Sequence, residues 1–368
     1  MLTSPLDTLK KYIDQPSGSF DTDDVAAVAA MFQADFESLG FQVQKHQGPK
    51  FGPALECTIG TGEKQLMLLG HMDTVFPHAL HVPFHDNGDG TAMGSGVSDM
   101  KGGIVIMLYA LQQALPAIDL SRYTIRVLLN PDEEAGSCDS EGLILQNAAA
   151  SFGVLSFEPS GVPQRLTCAR KGVTNVTVSC TGIPGHAGAQ YKECASAIQN
   201  LCAQLMKLYT LRDDTRDLSF NAGVISGGTA ENVVAPSASC KGEFRYYDQR
   251  YQKILMDKIV ELCSEEPVPG CRTTVAFGAS HPAIDLNPQS QVLLEAAQAI
   301  AREQGRELPH ERVGGAGDIA IAGQTGVGVL DGLGMPGGKM HTVEEYGVIS
   351  LMPQQIDLAA KLIQKLCC

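Results

Sequence analysis

Hydrophobic positions along the chain recur with two different periods. Residues 22–39 repeat at helical spacing and end at Gly40, where residues 41–46 begin to alternate as a strand. Apolar strands and helices then follow one another, with strands predicted at 64–73, 123–130 and 153–159 and helices at 101–115 and 140–149. This order is typical of an α/β unit with a mostly parallel sheet flanked by helices, in which binding sites form at the carboxyl ends of the strands.

The periodicity changes after Lys171. Strictly alternating strands are predicted at 172–182, 219–228 and 237–248, with helices near 193–212 and 248–264. The order β-α-β-β-α-β indicates an α+β domain with an antiparallel, ferredoxin-like sheet. The α/β pattern returns from residue 282, with helices near 288–304 and 349–366 and a strand at 327–334. We therefore predict a discontinuous catalytic domain, 1–170 and 282–368, and an inserted dimerisation or lid domain, 171–281.

Composition and charge exclude several classes of protein. The 368 residues exceed what one hydrophobic core usually supports, in agreement with two domains. The formal net charge of -14 gives a long-range field of the wrong sign for nucleic acid or an anionic membrane. The amino-terminal segment lacks the apolar core of a signal peptide, and no run of about 18 apolar residues follows. We therefore expect a soluble, cytoplasmic protein in which most of the 11 scattered cysteines are reduced.

Residue types that bind metals cluster at the ends of the predicted strands. The stretches are "GHMDTV" (70–75), "GSGVSDMKGG" (94–103), "NPDEEAGS" (130–137), "SFEPSG" (156–161) and "GGKMHTVEEYG" (337–347). Each stretch is weak evidence alone, because polar turns and helix caps have the same composition. Together they can converge on one crevice at the carboxyl ends of the strands.

Two of these stretches place carboxylates where they can serve a metal. His71 and Asp73 are two residues apart on a strand and face the same side, so Asp73 can hold one imidazole nitrogen while the other binds metal. A hydrogen-bonded polar pair would explain the same spacing. Asp99 lies in a glycine-rich loop before a helix, where its two oxygens can bridge two cations or simply cap the helix.

Glu133 and Glu134 are adjacent where a predicted strand ends. Neighbouring side chains there point in different directions, so one carboxylate can bind metal while the other faces a metal-bound water. Zinc lowers the pKa of its water, and a nearby carboxylate can take the proton and deliver it to a leaving nitrogen. We assign Glu134 to the metal and Glu133 to the general base; a solvated turn is the alternative.

In this order and spacing, the five stretches resemble the M20 family of zinc amidohydrolases and peptidases, most of all its bacterial glutamate carboxypeptidases, over nearly the whole chain. The resemblance implies two Zn2+ per subunit, with Co2+ or Mn2+ as possible substitutes, bridged by Asp99. His71 and Glu158 would complete one site, and Glu134 and His341 the other. Histidine and carboxylate ligands without a thiolate suit a hydrolytic metal.

The resemblance also assigns roles in the inserted domain. His186, in "TGIPGHAGAQ", would cross a homodimer interface and help to polarise the scissile carbonyl in the partner's active site. Asn232, in "GGTAENVVAP", would act similarly. Arg245, in "GEFRYYD", can hold a substrate carboxylate through two parallel hydrogen bonds. The alternatives for these three residues are a surface histidine, a turn and a solvated strand face.

Further substrate contacts are predicted for Arg165, His281 and Gly315. In the family, a glutamate at the position of Glu158 accompanies carboxypeptidases and deacylases, which favours a substrate with a free carboxylate. His281 stands where the resemblance leads us to expect arginine, and Arg165 offers a second cation. The resemblance also implies a cis peptide bond after Asp99. Three histidines in the segment that follows "GHMDTV" offer ligands for another metal site: His78, His81 and His85. We predict instead that they are loop residues at the rim of the active site.

The predicted function is hydrolysis of an amide bond next to a carboxyl-terminal amino acid, with glutamate as the first candidate. A hydroxide that bridges the metals would attack the carbonyl, with Glu133 as general base. The alternative is an N-acyl-amino-acid deacylase of the acetylornithine or succinyl-diaminopimelate type, which would share the metal ligands and differ in its side-chain pockets. A non-catalytic binding protein on the same scaffold would be expected to have lost a ligand or the base, and this chain retains all of them.

Overall fold

The computed structural model describes residues 2–368. The α-helices are α1 (Pro5–Ile13), α2 (Thr22–Ser38), α3 (Lys101–Ala114), α4 (Glu141–Ala149), α5 (Ala197–Tyr209), α6 (Arg250–Cys263), α7 (Pro288–Glu303), α8 (Asp318–Gly323) and α9 (Met352–Leu366). Short 3-10 helices lie at His78–Leu80, Leu115–Ala117, Glu133–Ala135, Asp214–Arg216 and Ile349–Leu351.

The β-strands are β1 (Gln42–Gln47), β2 (Pro53–Ile59), β3 (Lys64–His71), β4 (His85–Asp86), β5 (Ala92–Met93), β6 (Tyr123–Asn130), β7 (Ser151–Ser156), β8 (Leu166–Arg170), β9 (Gly172–Thr181), β10 (Ser219–Gly227), β11 (Ser237–Tyr246), β12 (Arg272–His281), β13 (His310–Val313), β14 (Gly328–Leu330), β15 (Gly337–Gly338) and β16 (Tyr346–Gly347). The chain divides into two compact units. One comprises the chain up to Ala169, Leu286–Val313 and Gly317–Cys368, and the other Arg170–Asp285 with Gly314–Ala316.

The larger unit is built on a six-stranded sheet in the order β1-β2-β6-β3-β7-β14. The four strands from β6 to β14 in this order run parallel, and β1 and β2 add an antiparallel edge. Strands β3 and β6 are buried along nearly their whole length, because helices cover both faces of a parallel sheet. Helix α3 is apolar on all sides and packs between neighbours that include α1 and α9.

A small antiparallel sheet in the same unit has the order β15-β16-β5-β4. Its two-residue strands carry no periodicity, so the sequence did not predict them. Tyr346 and Gly347 pair with Met93 and Ala92, which fixes the segment 337–347 against the segment before Asp99. Two of the metal-binding stretches are thereby brought together although they are far apart in sequence.

The smaller unit contains β9-α5-β10-β11-α6-β12, with its antiparallel strands in the spatial order β10-β11-β9-β12. Alternate residues such as Val176 and Val178 of β9 join a core with Leu201 of α5, Ile259 of α6 and Phe244 of β11. This arrangement and the α/β architecture of the larger unit confirm the predicted fold class. Within residues 2–368, no helix has both the length and the apolar character needed to cross a bilayer.

Candidate metal centre and active site

The carboxyl ends of the parallel strands β3, β6 and β7 supply most of the candidate site. Strand β3 ends at His71, and β6 ends at Asn130, just before the 3-10 helix Glu133–Ala135. Glu158 follows two residues after β7 ends. Because neighbouring parallel strands end at the same edge of a sheet, these short continuations meet there.

The first group of side chains that could hold a metal ion is His71, Asp99 and Glu158. The Nε2 atom of His71 lies 3.2 Å from Oδ1 of Asp99 and 3.7 Å from Oε1 of Glu158. His71 and Glu158 are buried. Burial alone would lower the pKa of His71, but hydrogen bonds to Asp73 and Asp99 and the charge of Glu158 raise it well above its usual range. The surrounding carboxylates therefore favour a positive charge at this imidazole.

The second group is Asp99, Glu134 and His341. The Nε2 atom of His341 lies 3.1 Å from Oε2 of Glu134 and 3.4 Å from Oδ2 of Asp99. Hydrogen bonds to Asp99 and Glu134 raise the pKa of His341 to about 10. Asp99 thus directs one oxygen to each histidine.

The two groups fit a pair of divalent cations. Their ligand atoms are imidazole nitrogens and carboxylate oxygens, within 4.8 Å of one another in each group, and Asp99 belongs to both. Such nitrogen and oxygen donors are acceptable to zinc and to neighbouring transition metals. Each imidazole faces carboxylates with a nitrogen that can bind either a proton or a metal. A cation at each group would balance the negative charge of the carboxylates. Without a cation, protons on the histidines balance this charge.

Asp73 connects His71 to the glutamate turn. Its Oδ1 atom lies 3.3 Å from Nδ1 of His71 and accepts a hydrogen bond from the backbone N–H of Glu133 at 3.2 Å. Its Oδ2 atom accepts from the backbone N–H of Glu134 at 3.2 Å and from Oγ of Ser19 at 2.7 Å. The buried carboxylate therefore orients the imidazole and fixes the backbone from which the two glutamates project.

The two adjacent glutamates have different surroundings. Glu134 belongs to the second ligand group, whereas within the described chain Glu133 belongs to neither. Burial raises the pKa of Glu133 well above its usual range; the charge of His71 opposes this effect and that of Glu158 adds to it. Glu133 is thus a carboxyl group with high proton affinity beside the ligands.

Three buried charged residues around the site were not identified from the sequence: Glu345, Lys101 and Asp318. Burial raises the pKa of Glu345 to about 7 and lowers that of Lys101 to about 7. Asp318 accepts a hydrogen bond from Nδ2 of Asn130 at 2.5 Å and another from Oγ of Ser137, so it holds both ends of the glutamate turn. The sequence signal for Glu345 was a second pair of adjacent glutamates, three and four residues after His341.

The loop that carries Asp99 has the backbone geometry that the resemblance implied. The peptide bond between Asp99 and Met100 is cis. Helix α3 begins directly afterwards, and its glycines approach other backbone segments closely: a Cβ atom on Gly103 would lie 2.0 Å from the carbonyl oxygen of Phe157. Glycine at this position allows the Asp99 loop and the Glu158 segment to lie side by side.

In the smaller unit, the loops of His186 and Asn232 lie side by side, because the N–H of Ala187 donates to the carbonyl of Asn232 at 3.0 Å. The Nδ1 atom of His186 accepts from the backbone N–H groups of Gly188 and Ala189 at 3.1 and 3.2 Å. An imidazole that accepts at Nδ1 carries its hydrogen on Nε2 when neutral. The exposed His186 can therefore donate a hydrogen bond from Nε2.

The other predicted substrate residues belong to both units, and each has its own contacts. The guanidinium of Arg245 contacts both oxygens of Glu243 and donates from Nη1 to the carbonyl of Gly314 at 2.7 Å, next to the exposed Gly315. Arg165, in the larger unit, has Nη1 3.6 Å from Oε2 of Glu311. His281 ends β12, opposite Val173 of β9. Their substrate roles remain predictions.

The histidines at the predicted rim do not form a further metal group within the described residues. The Nδ1 atom of His78 lies 2.5 Å from Oδ2 of Asp24. Burial lowers the pKa of His81 to about 4, and His85 is an exposed residue of β4.

The fold and the paired histidine and carboxylate groups are those of a metallohydrolase. A family model described as peptidase family M20/M25/M40 matches residues 67–365, and the chain belongs to this family. Carboxypeptidase G2 of Pseudomonas sp. (strain RS-16) is 32% identical over 368 residues, which cover 98% of this chain and 88% of that protein. The chain is therefore an enzyme, a peptidase or amidohydrolase of a metal-dependent family.

Two further similarities extend over the whole chain. Succinyl-diaminopimelate desuccinylase of Gluconacetobacter diazotrophicus is 25% identical over 368 residues, covering 95% of this chain and 94% of that protein. The crystal structure of aminopeptidase PepT from Bacillus cereus superposes with a TM-score of 0.84 at 19% identity, covering 99% of this chain and 98% of that chain. The second similarity shows the shared fold and not a shared substrate.

Proposed function

We propose that the enzyme hydrolyses the amide bond that precedes a carboxyl-terminal amino acid, with glutamate as the first candidate. The observation that carries this proposal is that the two adjacent glutamates of one turn have different surroundings. Glu134 joins a ligand group that shares Asp99 with the other group, while its neighbour Glu133 remains outside both within the described residues. A carboxylate placed beside a metal centre without belonging to it is suited to proton transfer.

We assign His71, Asp99 and Glu158 to one zinc ion and Asp99, Glu134 and His341 to a second. When bound there, the ions would lower the pKa of a water molecule and polarise the scissile carbonyl. Glu133 accepts the proton of the attacking water and returns it to the leaving nitrogen. Its raised pKa makes it a better acceptor of the proton, and the more basic leaving nitrogen can then take the proton from it. Asp73 keeps His71 and the turn in position.

Arg245 is assigned to the free carboxylate of the substrate. Its guanidinium already holds the carboxylate of Glu243 through Nε and Nη2, which fixes the orientation of the group. A substrate carboxylate would compete with the carbonyl of Gly314 for Nη1. Arg165 is assigned to a second carboxylate of the substrate, and His281, Asn232 and Gly315 remain candidates for contacts with the substrate.

His186 is assigned to the carbonyl oxygen of a substrate bound in the partner subunit of a homodimer. Its Nε2–H is available because backbone donors occupy Nδ1. The smaller unit offers a suitable interface, since β10 is an edge strand and exposes Val224 and Ile225, while α5 exposes Ile198 and Met206. Pairing of two copies along this face would cover the apolar side chains.

A panel of substrates tests the proposed function. Metal-free protein is reloaded with zinc, cobalt or manganese and assayed with N-benzoyl-glutamate, folate, N-acetylornithine, N-succinyl-diaminopimelate and a dipeptide with a free amine. We expect release of glutamate to have the highest kcat/KM. We expect Arg245→Lys to raise KM for that substrate, because an ammonium group lacks the planar fork that binds Glu243 on one side and presents Nη1 to the substrate on the other.

A second function is supported by one departure from the expected pattern. His281 stands where we expect arginine in a glutamate carboxypeptidase, so the guanidinium expected to hold the glutamate side chain is absent at this position. Preference for the acetyl or succinyl substrate would assign the enzyme to the N-acyl-amino-acid deacylases with the same metal centre. Cleavage of none of the substrates by the zinc-loaded protein would contradict both proposed substrate classes.

A further inference from the structure

Glu345 is a buried carboxylate near the candidate metal ligands that the proposed reaction does not use. Its side chain is buried, with 2% of the residue exposed, whereas the side chain of its neighbour Glu344 is 65% exposed and pairs with Lys339 at the surface. A buried carboxylate needs hydrogen-bond partners to offset the loss of water. The partners of Glu345 therefore indicate its role.

Backbone donors of a single loop supply these partners. Oε1 of Glu345 accepts from the N–H groups of Ser98 and Asp99, at 2.8 and 3.0 Å, and Oε2 accepts from the N–H of Gly96 at 3.1 Å. The carboxylate thus binds three amides in the four residues that end at Asp99. Among these three hydrogen bonds, the one from Asp99 comes from its backbone N–H. The carboxylate of Glu345 therefore fixes the backbone from which the Asp99 side chain projects.

The position of Asp99 affects both ligand groups, because each of its oxygens faces a different histidine. His341 lies only four residues before Glu345 in the same segment, and 57% of its side chain is exposed. Because more than half of this side chain is exposed, its position depends mainly on its contacts with the other candidate ligands. The hydrogen bonds of Glu345 connect the segment that carries His341 to the loop that carries Asp99.

We propose that Glu345 is a positioning residue for the two-metal site, setting the distance between Asp99 and His341 and thereby the affinity for both metal ions. This inference rests on the proposed metal site. Residues that orient metal ligands without touching the metal typically change metal affinity by about 10- to 100-fold when substituted. Glu345 acts on the shared ligand, so both ions are affected.

The substitution Glu345→Gln preserves the shape of the side chain and removes its charge. The amide oxygen can still accept from Ser98 and Asp99. The amide NH2 then faces the N–H of Gly96, and because both groups are donors this hydrogen bond is lost. We expect zinc affinity to fall by about 10-fold or more at both sites. Glu344→Gln is the matched control, because it makes the same chemical change one residue away, and we expect it to bind zinc as the wild type does.

Zinc affinity is measured by competition with a chromophoric chelator on the metal-free proteins, together with the rise in Tm on addition of zinc. Tighter binding produces a larger rise, so the rise should shrink in Glu345→Gln. If Glu345 only stabilised the fold, the substitution would lower Tm equally with and without zinc and leave both dissociation constants unchanged. That result would overturn the inference.

Two further outcomes are distinguishable. If Glu345→Gln does not fold without metal, Glu345→Asp is measured in the same way. This substitution keeps the charge but shortens the side chain by one methylene. Unchanged zinc affinity in Glu345→Asp would again contradict the inference. If the wild type itself fails to bind two zinc ions, the proposed metal site is wrong. If the wild type binds two and Glu345→Gln binds them equally well, only the role of Glu345 is wrong.

Discussion

Glu133 and Glu134 are identical residues next to each other, and their different surroundings set different chemistry. Both backbone N–H groups donate to Asp73, which fixes the directions of the two side chains. Glu134 reaches His341 at 3.1 Å, whereas burial leaves Glu133 with a pKa well above its usual range. These different surroundings support the proposed assignment of Glu134 as a metal ligand and of Glu133 as the proton carrier.

Substituting each glutamate tests this separation. We expect Glu133→Gln to lower kcat by about 100- to 10,000-fold with both zinc ions retained, because it removes the proton acceptor alone. We expect Glu134→Gln to lose zinc from the site that His341 completes. Metal content by atomic emission and turnover are measured on the same samples. Loss of zinc from Glu133→Gln with retention in Glu134→Gln would reverse the two assignments.

The residues that could be predicted from sequence were those whose neighbours in the chain report their chemistry. His71, Asp99 and Glu134 each stand in a short stretch at the end of a strand or in a glycine-rich loop. Glu345 and Asp318 could not be assigned in this way, because their partners lie 246 and 188 residues away, at Asp99 and Asn130. Burial of such carboxylates depends on tertiary contacts that no local pattern reports.

At the scale of elements, the close approach of α3 to the end of β7 sets the distance between the Asp99 loop and Glu158. A Cβ atom on Gly103 would meet the backbone oxygen of Phe157, which cannot rotate away as a side chain can. We expect Gly103→Ala to lower the free energy of unfolding by about 1–3 kcal/mol, as overpacking does, and to weaken zinc binding at the site of Glu158.

Gly142→Ala in α4 is the matched control, since a Cβ atom there would meet nothing within 4 Å. Alanine is the better helix former, so this substitution should leave stability unchanged or raise it by up to about 1 kcal/mol. Urea unfolding of the metal-free proteins gives the free energy of unfolding of both variants. Equal effects of the two substitutions would show that the close approach at Gly103 is not required.

Elements with a clear period were predicted well. The expected strand 123–130 coincides with β6, and the expected helix 101–115 differs from α3 by one residue. Helices α1 and α8 and strand β2 were not predicted. Helix α1 depends on the Ser4 side chain as its N-cap and on Pro5 in its first turn, signals that are present but short, and α8 has six residues within a glycine-rich segment. Short elements of this kind depend on packing more than on periodicity.

At the scale of the whole molecule, the chain consists of an α/β unit that carries the candidate metal ligands and a smaller antiparallel unit inserted into it. The change of hydrophobic period after Lys171 predicted the insertion, because parallel and antiparallel sheets bury their strands differently. The proposed pairing of two copies of the chain could not be derived from periodicity. The assignment of His186 to the partner subunit gives the inserted unit a catalytic role.

The central claim is that each amide-hydrolysing site combines the metal centre and Glu133 of one subunit with His186 of the other. Heterodimers isolated with two affinity tags test it directly. In the trans pair, one chain carries Glu133→Gln and the other His186→Ala, so one of the two sites is complete. In the cis pair, one chain carries both substitutions and the other is wild type, so neither site is complete.

The measurement is turnover of the best substrate by the two heterodimers, with equal metal content confirmed beforehand. We predict about half of wild-type activity for the trans pair, since a twofold dimer exchanges His186 symmetrically, and almost none for the cis pair. The opposite result, an inactive trans pair and a half-active cis pair, would place His186 in the active site of its own chain and contradict the account.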